Sequence, residues 1–190
     1  MTDKTNRTLT ICRSCMIVRR IETELGKVAD IIMAGFYSKD RQRSPFSGMV
    51  RLAELNRLQQ NFPYADPNHF MYVATTRTNG DLSIVAFCDV DGRPATRRFD
   101  APRPYLSDLV VHPHYRRRGI AKRLVEFIET RIVQGEMESP FLYIRVERDN
   151  DAARIMYQNM DYRPISHPIF GIEDTTVLLR KDFEEEDFVV

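Results

Sequence analysis

The run Arg116-Arg117-Arg118-Gly119-Ile120-Ala121 gathers three positive charges at a glycine where the apolar pattern of the chain changes period. Tyr105 to Val111 reads as a central strand, and beyond Gly119 the residues Ile120, Leu124, Phe127, Ile128 and Ile132 fall at helical spacing. A strand that hands over to a helix across such a turn aims the N–H groups of the first helical turn at one point. The helix dipole adds about half a positive charge there, and the arginines reinforce it. Gly119 permits close backbone approach or an unusual φ, while the small Ala121 leaves room for a ligand. The turn therefore predicts a local site for an anion with several oxygens, phosphate among them.

Competing readings of this turn lack their residues. No Gly-x-x-x-x-Gly-Lys-Ser/Thr occurs in the chain, and no Gly-x-Gly-x-x-Gly follows a strand, so neither the P-loop nor the dinucleotide fingerprint applies. The turn is entered instead from His112-Pro113-His114-Tyr115. Lys and Arg number 28 against 27 Asp and Glu, and a net charge of +1 supplies no global field. Neither nucleic acid nor a membrane surface is expected as a partner. Cys12 and Cys15 have the C-x-x-C spacing, but no second Cys/His pair completes a tetrahedral site, so no metal is expected. The odd set with Cys88 fits a reducing compartment. The start Met1-Thr2-Asp3-Lys4 lacks the apolar core of a signal peptide. These features predict a cytoplasmic protein, or one in a plastid or other organelle from which a leader has been trimmed.

The elements that must hold the turn follow from periodicity. Met16 to Arg19 reads as a strand, and Leu25, Val28, Ile31, Ile32 and Phe36 as a helix. After a loop from Ser38 to Gly48, the residues Met49, Leu52, Leu55 and Leu58 mark a second helix. Phe70 to Ala74 and Leu82 to Phe87 form a hairpin about Asn79-Gly80-Asp81, and Arg93 to Pro104 is an exposed connection. Phe141 to Val146 is the next strand, Asn150 an N-cap for a helix through Ala153, Tyr157 and Met160, and Thr175 to Leu179 a last strand. This order predicts an α/β fold, a mixed sheet with helices on both faces. Residues 1–15 are expected as a flexible tail, 16–181 as one domain and 182–190 as an acidic tail.

The stretch from Tyr105 to Ala121 resembles motif A of the GNAT superfamily of N-acyltransferases, its Q/R-x-x-G-x-G/A core filled by Arg116, Gly119 and Ala121. Asn150, Ala153 and Tyr157, followed by Met160-Asp161-Tyr162, are similar to the family's N-x-x-A-x-x-x-Y-x-x-x-G-F, with Met160 standing where Gly usually ends the helix. The resemblance covers about Met16 to Lys181. It implies a splayed central sheet of about seven strands, acetyl-CoA as cosubstrate and no metal. By the same resemblance, N–H groups from Arg116 to Lys122 hold the CoA pyrophosphate, and Leu109, Val110 and Val111 pair with the pantetheine arm. Asn150 touches that arm, Ala153 belongs to the same cofactor motif, and Tyr157 protonates the departing thiolate. The family's splay between the strands at Tyr105 and Phe141 turns a backbone N–H near Val111 toward the thioester oxygen.

The base that takes the amine proton is less determined. Several family members carry Glu or His five residues before the motif Asn, where this chain has Arg145, and a guanidinium cannot accept a proton at neutral pH. Glu147 lies two residues on, on the same strand face. Tyr105 and Ser107 share a face, and by resemblance a Tyr at this place guides an ordered water. Asp108 faces the other way, as a base or as a tether to a helix. The candidates rank Tyr105, Glu147, Asp108. By the same resemblance the acceptor groove is lined by Phe36 to Gly48 and roughly Ser166 to Asp174, where Tyr37, Phe46 and Phe170, with Tyr162, are aromatic residues suited to packing a peptide, and Ser107 and Arg145 are expected near the acceptor. The expected activity is N-acetylation of a protein or peptide α-amine or lysine by direct attack. The alternatives are acetylation of a small-molecule amine and a non-catalytic CoA-binding module.

Overall fold

A computed structural model describes residues 9–11, 16–21, 23–37, 42–62, 66, 68–78, 81–94, 102–166 and 175–184. Cys12, Cys15, Phe170 and the turn at Asn79-Gly80 lie outside these. The elements are β1 (Leu9–Ile11), β2 (Met16–Arg20), α1 (Leu25–Phe36), α2 (Ser47–Gln60), β3 (His69–Thr78), β4 (Asp81–Asp91) and β5 (Tyr105–Val111). They continue with α3 (Ile120–Phe127), β6 (Phe141–Glu147), α4 (Asp151–Gln158), β7 (Arg163–Pro164) and β8 (Thr176–Asp182). The chain divides into two compact units. One holds Met1–Asp66, Phe70–Asp89 and Asp108–Leu124, the other Pro67–His69, Val90–Ser107 and Val125–Val190. The strand order is β1-β2-β3-β4-β5 in the first and β5-β6-β8-β7 in the second, each unit taking one half of β5. The α/β class and mixed sheet are as the sequence predicts.

In the first unit β1 and β2 run antiparallel with Leu9 opposite Val18, inside the stretch expected as a tail, and β2 runs antiparallel to β3 with Ile17 opposite Thr75. Helix α1 buries Val28, Ala29, Ile31 and Ile32 in a core shared with Leu58, Met71, Val73, Phe87 and Val110. Helix α2 departs from expectation, because Met49 and Leu52 are exposed while Leu58 is fully buried. A strict step of three residues falls about 60° short of a full turn, so from Met49 to Leu58 the pattern walks halfway around the helix. Only the end of α2 can face the core.

In the second unit β5 runs parallel to β6, with Tyr105 opposite Tyr143 and Leu106 opposite Ile144. Strand β6 then pairs antiparallel with β8 from Phe141↔Asp182 to Glu147↔Thr176. Its alternation buries Leu142, Ile144 and Val146 and exposes Arg145 and Glu147 on one face. Beyond α3 the helix widens into a π segment over Ile128–Gln134, where periodicity alone predicts continued α-helix. The wider turn brings Glu129, five residues after Leu124, to the buried side, where Lys181 Nζ donates to it at 2.9 Å.

Helix α4 begins where expected, the Asn150 side chain accepting from the Ala153 N–H at 3.2 Å. Its end corrects the reading of Met160. The left-handed residue that closes the helix is Asp161, at φ 67°. The Tyr162 N–H donates to the Tyr157 carbonyl and the Asp161 N–H to that of Gln158, the pattern in which the residue after the cap takes positive φ. Asp161 is thus the residue in the glycine place, and Tyr162 packs its ring edge on Tyr157 with centroids 5.5 Å apart.

Candidate active site

Strand β5 of the first unit ends in a backbone aimed by its hydrogen bonds. The His112 N–H donates to the Val85 carbonyl at 2.9 Å, so by strand alternation the Val110 N–H also faces β4 and the Val111 N–H points away from it. His112 itself is a turn residue. Its Nδ1 accepts from the His114 N–H at 3.3 Å, and burial, with His114 and Arg116 beside it, pulls the imidazole below its ordinary pKa. After a single 3-10 turn at Pro113–Tyr115, Arg117 (φ 62°) and Gly119 (φ 72°) adopt left-handed conformations that wrap the chain into α3.

The first helical bond of α3 runs from the Arg123 N–H to the Gly119 carbonyl at 3.1 Å. The N–H groups of Ile120, Ala121 and Lys122 therefore have no carbonyl four residues back in the helix to bind. The carbonyls of the turn are covered from the other side, since the Arg123 guanidinium donates to Arg118 O at 2.7 Å and to Gly119 O at 3.4 Å. First-turn helical donors beside carbonyls already engaged by a cation suit an anion with several oxygens. The three turn arginines divide their work. Arg116 fastens the turn, donating to Val111 O at 3.1 Å and to Gly35 O, near the end of α1, at 2.9 Å. Arg118 lies over the Tyr115 ring at 5.3 Å, and Arg117 is exposed. Arg123 escapes a reading of the sequence alone, although its place four residues after Gly119 is the signal that could have found it.

The first unit also holds a polar chain that the sequence did not reveal. Tyr37 donates its hydroxyl to Glu54, Arg57 Nε donates to Glu54 at 2.9 Å, and Arg57 Nη1 donates to Asp108 at 2.7 Å. Asp108 is thus tied to a helix, one of the two roles expected of it. Burial raises its carboxyl above its ordinary pKa, and Arg57 offsets only part of this. For Glu54 burial acts the same way, but Tyr37 and Arg57 outweigh it and hold the carboxyl below its ordinary pKa.

In the second unit Tyr157 is buried on α4 against Tyr162. Burial and the neighbouring Glu129 push the Tyr162 phenol well up, so its proton stays in place. Arg145 donates to Thr176 Oγ1 at 2.9 and 2.8 Å from β6, while Glu147 is exposed two residues on. Tyr105 and Ser107 are half-buried on β5. The anion turn and Asp108 belong to the first unit, and Tyr105, Ser107, Arg145, Glu147, Asn150, Ala153 and Tyr157 to the second. No group of three metal-ligating side chains is found among the described residues, and no helix among them is long and apolar enough to cross a membrane.

A profile of the acetyltransferase (GNAT) family matches residues 34–162, which include both the anion turn and α4. The chain belongs to this family. Among curated relatives, an acetyltransferase of Yersinia pestis (strain Pestoides F) is 39% identical over 89 residues, 45% of this chain and 62% of that relative. The chain thus spans under two thirds of the length of that relative. An acetyltransferase of Yersinia enterocolitica is 30% identical over 124 residues, 64% of this chain and 83% of the relative. The GNAT domain of S. lividans PAT superposes with a TM-score of 0.64 at 16% identity, covering 96% of this chain and 99% of that one. A PaiA N-acetyltransferase of Thermoplasma acidophilum, solved with coenzyme A, gives 0.58 at 16% identity over 88% and 99%. The ribosomal-protein-S18-alanine N-acetyltransferase of Escherichia coli gives 0.57 at 16% over 88% and 94%. At these identities the likeness is one of fold.

Proposed function

We propose that this GNAT protein moves the acetyl group of acetyl-CoA to an amine of a protein or peptide, an α-amine or a lysine ε-amine. The observation that carries the reading is the turn after β5, with its left-handed Arg117 and Gly119, the N–H groups of the first turn of α3 beyond it and its carbonyls covered by Arg123. The pyrophosphate accepts from those N–H groups, and the main chain of Leu109 to Val111 offers its strand edge to the pantetheine arm. The Val111 N–H, pointing away from β4, donates to the thioester oxygen as negative charge builds on it. The neutral amine attacks the carbonyl carbon, the C–N bond forms, the C–S bond breaks, Tyr157 gives its phenolic proton to the thiolate, and the proton the nitrogen sheds in becoming an amide passes to solvent, from which the phenol is restored.

An α-amine has a pKa of about 7.7–8.0 and a lysine about 10.4, so the first is appreciably neutral at pH 7 and the second needs a base. Water ordered by Tyr105 serves an α-amine, and Glu147 a lysine. Tyr37, Ser107, Arg145 and Phe170 contact the acceptor, and Arg145 favours a peptide carrying acidic groups. The test incubates the protein with acetyl-CoA and two peptides, one with a free α-amine and blocked lysines, the other Nα-acetylated with a free lysine. Mass spectrometry then reads which amine is modified. Acetyl-CoA at about 100 times its Kd should stabilise the fold by roughly 2.7 kcal/mol. Absence of a thermal shift with either CoA or acetyl-CoA refutes the reading, and a shift without transfer to either peptide leaves a CoA-binding module or a small-amine enzyme.

A further inference from the structure

The chemistry above uses the main chain of β5 and gives no part to Glu54, Arg57 or the Asp108 carboxylate. Those groups form one chain within the first unit. The Tyr37 hydroxyl, at the end of α1, binds Glu54, Glu54 binds Arg57, and Arg57 reaches Asp108. The side chains of Glu54 and Asp108 are 15% and 20% exposed and that of Arg57 40%, so the carboxylates are largely covered while the guanidinium between them keeps contact with solvent. At the far end of the chain the backbone is strained. Asp108 has φ 52° inside a strand, a conformation that a residue with a Cβ resists.

The place of that strain matters. The β5–β6 ladder pairs Tyr105 and Leu106, and the left-handed residue comes two positions later. An inverted residue in a strand re-aims everything after it, and the segment re-aimed here is Leu109 to Val111, whose N–H direction the proposed reaction depends on. A glycine at 108 would take the same φ without strain. The chain has instead an aspartate whose carboxylate is gripped by an arginine that α2 supplies and Glu54 braces.

We infer that Arg57 and Asp108 are positioning residues, the ion pair holding β5 in its left-handed kink and so fixing the direction of the Val110–Val111 main chain. Glu54 and Tyr37 fix the Arg57 guanidinium in turn. Asp108 on this account is neither the base nor a contact of the acceptor. The inference leans on the proposed acetyl transfer only for its activity readout.

Three variants test it: Arg57→Gln, Asp108→Gly and the two combined. Each is assayed for amide hydrogen exchange at Val110 and Val111 by NMR, for the CoA thermal shift, and for kcat and KM on the two peptides named above. Arg57→Gln leaves a largely covered carboxylate without its partner and should speed exchange at both amides. It should lower kcat about tenfold or more while the acetyl-CoA KM stays within about twofold, because misplacement of a reacting group by a fraction of an ångström costs turnover before affinity. Adding Asp108→Gly removes the orphaned carboxylate and supplies a residue at ease with positive φ, so the double variant should exchange more slowly and turn over faster than Arg57→Gln alone. A double variant no better than Arg57→Gln in both readouts overturns the inference. So does Arg57→Gln with unaltered exchange. Loss of the acid limb of the kcat/KM pH profile in Asp108→Gly, with exchange unaltered, makes Asp108 the base and overturns it equally. Failure of the unmodified protein to acetylate either peptide strikes the proposed function instead, and the exchange data still decide this inference.

Discussion

Gly35 offers the sharpest measurement of how α1 and the cofactor turn depend on one another. A Cβ built on it would lie 2.2 Å from Val110 Cγ2, 3.7 Å from Val110 Cβ and 3.5 Å from a guanidinium nitrogen of Arg116. Carbon atoms in contact sit at about 3.5–4.0 Å, so Gly35→Ala demands more than an ångström of movement between α1 and β5. Val110 cannot easily yield, being buried and β-branched with a stiff χ1. Overpacking of this kind costs about 1–3 kcal/mol, while replacing a helical glycine by alanine returns roughly 0.5–1 kcal/mol. Gly35→Ala alone should therefore destabilise by about 1–2 kcal/mol. In a Val110→Ala background the methyl at 2.2 Å is gone and the two remaining neighbours are at ordinary contact distance, so the same change should stabilise by roughly 0.5–1 kcal/mol. The coupling is then about 1.5–3 kcal/mol, well above the few tenths expected of independent sites. Urea unfolding of the four proteins measures it. The strain also bears on the Val111 and Gly35 carbonyls that fasten Arg116, so the CoA thermal shift should shrink in Gly35→Ala and recover in the double variant. Equal effects of Gly35→Ala in both backgrounds refute the reasoning, because the contact with Val110 would then not be what keeps position 35 a glycine.

Tyr157→Phe keeps the ring packing on Tyr162 and removes the proposed acid, so kcat should fall by about 10²-fold with little change in the CoA thermal shift; unchanged turnover would mean that solvent protonates the thiolate. Asp161→Gly should stabilise the fold by about 0.5–1 kcal/mol, seen as a rise in Tm of roughly 1–4 °C, since glycine takes φ 67° without a Cβ penalty. At Asp91 burial alone would raise the carboxyl, but bonds from Arg93 at 2.9 and 2.8 Å and the charge of Arg103 at 2.7 Å outweigh it and depress the pKa. A depressed carboxylate contributes stability that is present above its unfolded pKa of about 3.9 and is lost as pH falls through the lower folded value. Asp91→Asn should therefore be less stable than the parent at neutral pH, and the gap in Tm between them should close on acidification below about pH 4; a gap that does not narrow would remove Asp91 from this role.

Much of the cofactor half was legible because it is written in contiguous residues. A strand ending at Val111, a glycine at 119 and a helix starting at Ile120 are local facts of pattern and backbone preference, and they predict a turn with helical donors wherever the rest of the chain goes. The cap at Asn150 and the shared face of Arg145 and Glu147 have the same origin, in the spacing of one helix and the period of one strand. The acceptor half was less legible, because its candidates Tyr37, Ser107 and Arg145 are scattered along the chain and share no local pattern.

By itself, then, the sequence determined the order of the elements apart from β1 and β7, the strand-turn-helix at Gly119 and the family motifs, each carried by neighbours along the chain. The tertiary structure decided the matters that depend on residues far apart in sequence. Arg57 meets Asp108 across 51 positions, Arg116 reaches Gly35 across 81, and Lys181 finds Glu129 across 52. No propensity or period encodes such pairings, because each partner alone is an ordinary charged or small residue on its own element. The left-handed turn of the backbone at Asp108 belongs with them. Local sterics disfavour it, and it persists only where contacts from another part of the fold hold the residue in place.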